Sequence, residues 1–387
     1  MSESRMPRWM RVGTSHESDS AVAAEKAVEE ALAGDSAALV IVFVSPIYDM
    51  QEVATAANAA ARGAPLVGCS TSGEIGGGVA GSGRIVAIAL GGEGFTARTS
   101  CGFISDGAEE SGASAAQGLI GLESPHKVLI LLAEGLAGHH SEMVRGAYGI
   151  AGAAVKLVGG CAGDDRAMAG TWQIHGGKAH QGAVVGAALG SDGPFGVGVG
   201  HGWTRSGDPM VVTESDGQRI FRIDDRPALD RYLTQAGIPE TEWDDDSAWP
   251  DLMLRMPLAL PRPSGDDVRA VLSADPTDRS LACSDVPFGA LVSMMSGDAD
   301  TVISGTEQAC SAAIAGLGGM PPIGIVAFDC AGRRAILGED GLVGEMAGIA
   351  EQVGDIPVGG FYTYGEFARS AGSRGVYSAT LVMLALG

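Results

Sequence analysis

One arrangement recurs three times along this chain and leaves few folds open to it. A strand-like run leads into a helix that starts on acidic residues: Trp9 to Ser15 then Asp19 to Leu32, Phe95 to Phe103 then Asp106 to Leu119, and Ala290 to Ser296 then Asp298 to Leu317. Acidic residues in a first turn suit the positive end of the helix dipole. Each helix is followed by a continuous apolar run, Ala38 to Val44, Val128 to Leu132 and Ile323 to Phe328, the pattern of a strand covered on both faces. A second helical stretch comes next, at Met50 to Ala61, Glu142 to Ala154 and Val343 to Val353. It leads to a short strand with a Gly-rich ending: PLVGCSTSGE (Pro65 to Glu74), KLVGGCAGDD (Lys156 to Asp165) and IPVGGFYTYGE (Ile356 to Glu366). A last apolar strand closes each copy, at Arg84 to Leu90, Ala183 to Leu189 and Val376 to Leu386. The order β-α-β-α-β-β predicts an α/β fold of mixed, largely parallel sheets, with one antiparallel neighbour per unit.

Between the second and third copies the pattern changes. VGVGHGW from Val197, a turn at Arg205 to Pro209 and the following MVV read as a hairpin, and a short helix spans Arg226 to Gln235. Pro239 to Asp267 holds five prolines and the cluster Asp244, Asp245, Asp246, which predicts a surface excursion. Further strands are expected over Val268 to Ala274 and Arg279 to Ser284. The main boundary falls near Arg226 to Tyr232, dividing the chain into an N-terminal α/β domain (1–228) and a C-terminal one (229–387).

Bulk properties exclude several classes of function. A net charge of −22 repels phosphate backbones and anionic lipid headgroups, so neither nucleic acid nor a membrane surface is an expected partner. Met1 to Arg11 carries charges and no apolar core of a leader, and no apolar run approaches the ~20 residues of a membrane helix, which together predict a cytoplasmic protein. The six cysteines form no CxxC pair and have no histidine at zinc-finger spacing, so no metal site is expected.

The fragments VGCSTSGEI (Val67 to Ile75), VGGCAGDD (Val158 to Asp165), HGWTRSGDPMVVT (His201 to Thr213), FDCAGR (Phe328 to Arg333), GEMAGI (Gly344 to Ile349) and GGFYTYGEF (Gly359 to Phe367) resemble, in order, the successive motifs of the FIST N-terminal and C-terminal domains. The resemblance spans roughly residues 11–387. It implies a bacterial or archaeal-type sensory input module that binds a small molecule, an amino acid or related metabolite, or in some members haem as a nitric oxide sensor. The chain departs from the family where an HN-x-T run is usual, having Tyr377, Ser378, Ala379 and Thr380 there.

The residues themselves point to the strand tips, where α/β proteins gather ligand-binding groups. Glu74, Asp164 with Asp165, and Glu366 beside Tyr364 each follow a Gly-rich strand end, and Arg333 lies just past another. Carboxylates that receive an ammonium, with a guanidinium that forks a carboxylate, make a minimal amino-acid site. Ser70, Thr71 and Ser72 would add donors. Cys69 and Cys161 occupy matching places in two copies, either as part of the same ligand set or as nucleophiles of an enzyme. His201, in an apolar Gly-rich strand beside Trp203, is the candidate haem ligand of the alternative reading. Ligand binding is expected to shift the packing of the C-terminal copy on the other two. With no kinase or cyclase pattern in the 387 residues, the output passes to a separate signalling protein such as a histidine kinase or cyclase.

Overall fold

The computed structural model describes residues 7–243, 245–262, 265–369 and 375–387. Asp244 of the acidic cluster, residues 1–6 of the opening segment and residues 263–264 of the Pro-rich stretch lie outside it.

The three units form three six-stranded sheets of one design. In the first sheet the opening strand Trp9–Ser15 pairs antiparallel with the closing strand Ile85–Gly91, which pairs antiparallel with the core strand Ala37–Val44. The core strand runs parallel to the tip strand Leu66–Ser70. The second sheet repeats this order with Phe95–Phe103, Ala183–Ser191, His126–Ala133 and Lys156–Cys161. The third repeats it with Phe195–Gly200, Leu381–Leu386, Gly324–Cys330 and Val358–Thr363. The α/β class and the mixed sheets match the sequence expectation, whereas the parallel share is smaller, at one parallel pairing per sheet. The closing strand lies between the opening and core strands and runs antiparallel to both, so of the two helix crossovers in each unit only the one from core to tip strand joins hydrogen-bonded neighbours.

Each sheet is completed by a hairpin from a different unit. Glu74–Gly76 and Val79–Gly81 of the first unit extend the third sheet, Gln173–His175 and Lys178–His180 of the second extend the first, and Glu366–Arg369 and Val376–Tyr377 of the third extend the second. The exchange is cyclic, so no seam separates the third unit from the other two.

Burial follows from this closure. Leu39, Ile41 and Phe43 point inward with Val128, Ile130, Leu132, Val326 and Phe328, forming one core shared by the three sheets. Phe43 stacks on Phe361 at 4.6 Å between centroids, and Phe328 meets both edge-on. The alternate residues Val40, Val42 and Val44 lie under helices Ser20–Leu32 and Met50–Ala60, and the other two units are covered in the same way. Both faces of each core strand are thus dry, which is why its apolar run shows no alternation.

The third unit departs from the sequence reading in its first strand. Its opening strand is Phe195–Gly200, not the run before Asp298, and residues between it and helix Ala299–Ala315 build a separate antiparallel sheet. That sheet runs in the order Gly265–Arg269, Leu258–Arg262, Leu291–Ser296, Thr204–Ser215, Gly217–Ile223, Leu281–Val286 and Ser273–Ala274. The expected hairpin at Val197 to Val212 does not form, since its two arms belong to different sheets. Glycine here serves close packing and not a turn: a Cβ at Gly196, Gly198 or Gly200 would lie 1.8–2.1 Å from carbonyl oxygens of the overlying helix. The Pro-rich stretch also holds more than a surface excursion. Helix Trp249–Arg255 buries Trp249 and Met253 in the core of the inserted sheet, together with Tyr232, Leu258 and Leu281.

Candidate functional site

Ten of the eleven predicted ligand residues do come together, where the three tip strands and exchanged hairpins cross. The Ser72 N–H donates to the Tyr362 carbonyl (2.9 Å), Gly163 to Ser70 (3.0 Å) and Tyr364 to Cys161 (3.2 Å). In return Tyr362 donates to Gly73, Ser70 to Trp172 and Cys161 to Gly365. These bonds lock the units in a ring. The ring is packed, and the side chains in it are turned upon one another.

Glu74 and Glu366 hold equivalent places at the start of exchanged hairpins, and the second unit has Gln173 there. All three are fully buried. Glu74 accepts from the Thr71 hydroxyl and from the Arg84 N–H (3.3 Å). Glu366 accepts from Thr363 Oγ1 (2.5 Å) and the Thr380 N–H (3.2 Å), and Gln173 from the Ala183 N–H (3.1 Å). Asp164 accepts from the Tyr364 hydroxyl and from the N–H groups of Met168, Ala169 and Gly170. Burial opposes its ionisation, yet these bonds hold its carboxyl below the usual range. Ser70 Oγ donates to the Gly163 carbonyl (2.7 Å), and Ser72 is buried beside Gly163. Asp165 is exposed and meets Ser82 and Arg334. A small hollow of about 200 Å³ borders this ring between Ser72, Arg334 and the kink at Gly338 in helix Ala331–Val353.

Burial pushes the Glu74 carboxyl up to about 8, against an ordinary value near 4.5. The folded protein therefore holds this proton more tightly than the unfolded chain between these values, and stability falls as pH rises through that window. Glu74→Gln, which copies the residue of the second unit, is expected to remove this contribution. Urea midpoints measured from pH 4.5 to pH 8 should fall less steeply in the variant; an unchanged slope would contradict the buried, protonated carboxyl.

Both predicted thiols, Cys69 and Cys161, are fully buried, and burial raises them well above the ordinary thiol range, so neither supplies a thiolate nucleophile. Arg333, the eleventh residue, lies apart in the layer under helix Ala299–Ala315 and is fully buried. Its Nε donates to Asp329 (2.6 Å), one terminal nitrogen to the carbonyls of His201 (2.7 Å) and Val302 (3.3 Å), and the other to Thr306 Oγ1 (2.6 Å) and Glu345 (3.1 Å). No donor is left to fork a ligand carboxylate.

A cavity of about 1010 Å³ lies elsewhere, between the inserted sheet and the second unit. Arg145 and Tyr148 reach it from helix His140–Ala151, and Arg369 from the exchanged hairpin, its guanidinium 3.3 Å from the centre of the Tyr148 ring. The facing wall carries Arg262, Arg269 and Asp285. Asp285 accepts from Ser141 Oγ (2.7 Å) across the cleft, and Arg269 is paired with the buried Asp267. Four arginines and three aspartates, Asp266, Asp267 and Asp285, line this one cleft, and Arg145 is also paired with Glu109 at 2.7 Å, so charges of both signs meet there. Motif reading misses these residues because none sits in a Gly-rich tip; the available signal was the clustering of arginine in Arg262 to Arg269 and at Arg145 within an acidic chain.

His201 also lines the cleft. Its Nδ1 accepts from the Trp203 N–H (2.9 Å), which places the proton of the neutral ring on Nε2. Burial first, and then Arg333, hold it in that neutral form. Axial histidines carry the proton on the other nitrogen, so this arrangement does not fit haem ligation. Among the described residues, no group of three or more His, Cys, Asp or Glu side chains is placed to hold a metal ion, and no helix is long and apolar enough to cross a membrane.

A body of three interlocked units with a sheet inserted before the last helix pair carries the motifs in the order seen in sequence. The chain belongs to the FIST family: the FIST N domain model matches residues 38–226 and the FIST C domain model residues 228–369. FIST domains are sensory domains of signal transduction. The chain is also similar to two uncharacterized proteins of Mycobacterium tuberculosis, from strains CDC 1551 / Oshkosh and ATCC 25618 / H37Rv. Identity to each is 30% over 190 residues, 48% of this chain and 49% of the relative. The match thus spans about half the length of these relatives.

Proposed function

We propose that this chain is a cytoplasmic small-molecule sensor that binds an amino acid or related small metabolite in the cleft between the inserted sheet and the second unit, and passes the signal to a separate protein such as a histidine kinase or cyclase. The observation that carries this reading is the cleft itself, a cavity at the upper end of ligand-pocket size with charges of both signs on its walls. The ring of strand tips supports it less well, because its polar groups, the buried Ser72 hydroxyl apart, already satisfy one another. Ligand contact with both walls changes the fit of the inserted sheet on the interlocked body, and that sheet is the surface a signalling partner reads.

A thermal-shift panel of amino acids and small carboxylates tests the proposal. A ligand at 100 times its dissociation constant stabilises by about 2.7 kcal/mol, a shift of several degrees. Arg145→Gln should abolish the shift, while Asp165→Asn at the ring should retain it. A flat panel, or a shift lost in the ring variant and kept in the cleft variant, would contradict the assignment.

A further inference from the structure

In the hollow of about 200 Å³ beside the ring, side chains of all three units meet with bonding capacity to spare. Ser72 comes from the first unit, Arg166 from the second, and Arg334 and Glu339 from the third. The Ser72 hydroxyl is buried with no hydrogen-bond partner among the described residues, a state that costs stability until an acceptor meets it. Arg334 lies against the same residue, its Nη1 2.6 Å from the Ser72 carbonyl. Its other bonds go to Asp165 (3.5 Å) and Ser82 (2.7 Å), which leaves the Nε–H and one Nη2–H over. Arg166 follows Asp165 directly and is fixed at the rim by its N–H, which donates to the Tyr364 hydroxyl at 2.7 Å. Its guanidinium has no partner among the described residues. Carboxylates outnumber cations in this chain by 47 to 25, so an arginine left without one marks a place kept for something else. Ala331 and Ala335, one turn apart on helix Ala331–Val353, have side chains too short to fill the space.

Donors thus line the hollow from three units. A carboxylate offers two oxygens in one plane, whereas a tetrahedral oxyanion has an oxygen for each of the three. Glu339 decides which oxyanion. It is exposed at the rim without a partner among the described residues, and an ionised carboxylate only accepts. It therefore repels an anion that carries no proton and bonds one that does. We propose that this hollow is a site for inorganic phosphate, its oxygens against Ser72 Oγ, Arg166 and Arg334 and its P–OH donating to Glu339. The site is separate from the cleft and does not depend on what binds there.

The test is calorimetric titration of the full chain at about pH 8, in a buffer free of oxyanions, with phosphate, sulfate and methyl phosphate. All three are dianions there, since a phosphate ester loses its last proton at about pH 6, and only inorganic phosphate keeps a P–OH. Phosphate is expected to bind about tenfold or more tightly than the other two. Glu339→Gln should bring sulfate close to phosphate, because the repelling charge is gone. Arg166→Asn should weaken phosphate about tenfold or more. The fold is not at stake in that variant, since the side chain is exposed and asparagine suits the φ of 67°. Ser72→Ala should weaken phosphate while the urea midpoint of the phosphate-free protein holds or rises, because an unmet buried hydroxyl is removed; a hydroxyl with a merely structural role would lower that midpoint. Sulfate or methyl phosphate binding as tightly as phosphate overturns the proposal, as does a lowered Ser72→Ala midpoint or no binding of phosphate at all. Phosphate affinity indifferent to Arg166→Asn shows an adventitious ion only and overturns it too. The cleft reading is untouched by each of these outcomes and answers to the thermal-shift panel alone.

Discussion

Gly159→Ala is expected to be the most damaging single methyl group that can be added to this protein. Gly159 has φ +146°, and a Cβ there would lie 1.9 Å from the carbonyl oxygen of Leu131 on the parallel neighbour. The same approach occurs at Gly68 against Val42 (2.3 Å) and at Gly360 against Ala327 (2.0 Å), so three sheets depend on it. The obstacle is backbone within a dry sheet and cannot rotate away. A loss of more than about 4 kcal/mol is expected, read as a collapse of the urea midpoint or of soluble yield. Gly149 provides the contrast. It lies exposed in helix His140–Ala151 with nothing within 4 Å, and alanine there should stabilise by about 0.5–1 kcal/mol. Equal stability of wild type and Gly159→Ala would contradict the interlocked geometry.

Arg333→Met is expected to have the second largest effect. The guanidinium neutralises Asp329 and Glu345 where all three are buried, and it ties the third unit to the His201 carbonyl at the root of the inserted sheet. Removing it strands two carboxyls in a medium that cannot solvate them, at a cost of about 3–5 kcal/mol. Adding Asp329→Asn and Glu345→Gln to Arg333→Met should recover part of that loss, since no charge is then left uncompensated. Chemical denaturation of the single and triple variants checks this; a triple variant no more stable than the single would show that the network acts through shape and not charge.

Much of the body was legible because its signals are local. Trp9 to Ser15, Phe95 to Phe103 and the helices capped by Asp19 and Asp298 lie where the apolar periodicity and acidic starts place them. The three Gly-rich endings meet, though packed against one another and not around the shared hollow that was expected. What local pattern does not contain is partner choice. Nothing in the run Glu74 to Gly81 tells that it leaves its own sheet for the third, since a strand edge offers the same backbone groups to any neighbour. The glycines of VGVGHG read as turn-makers, while their role is to admit a helix at backbone contact. The acids at the tips carried the look of a binding site because a buried carboxyl bonded to its own chain and one awaiting a ligand have the same sequence. Arg145, Asp285 and Arg369, drawn from three distant stretches, come to line one cleft only through the insertion and the exchange.

Hydrogen–deuterium exchange of the full chain, with and without a saturating amount of the amino acid or carboxylate that gives the largest shift in the thermal panel, tests the central claim most directly, because it asks where a ligand is felt. Protection is predicted over residues 140–151 and 281–286, with residues 66–74 and 358–366 unchanged. Protection confined to those tip segments, with the cleft unaltered, would place the ligand at the ring and contradict the account.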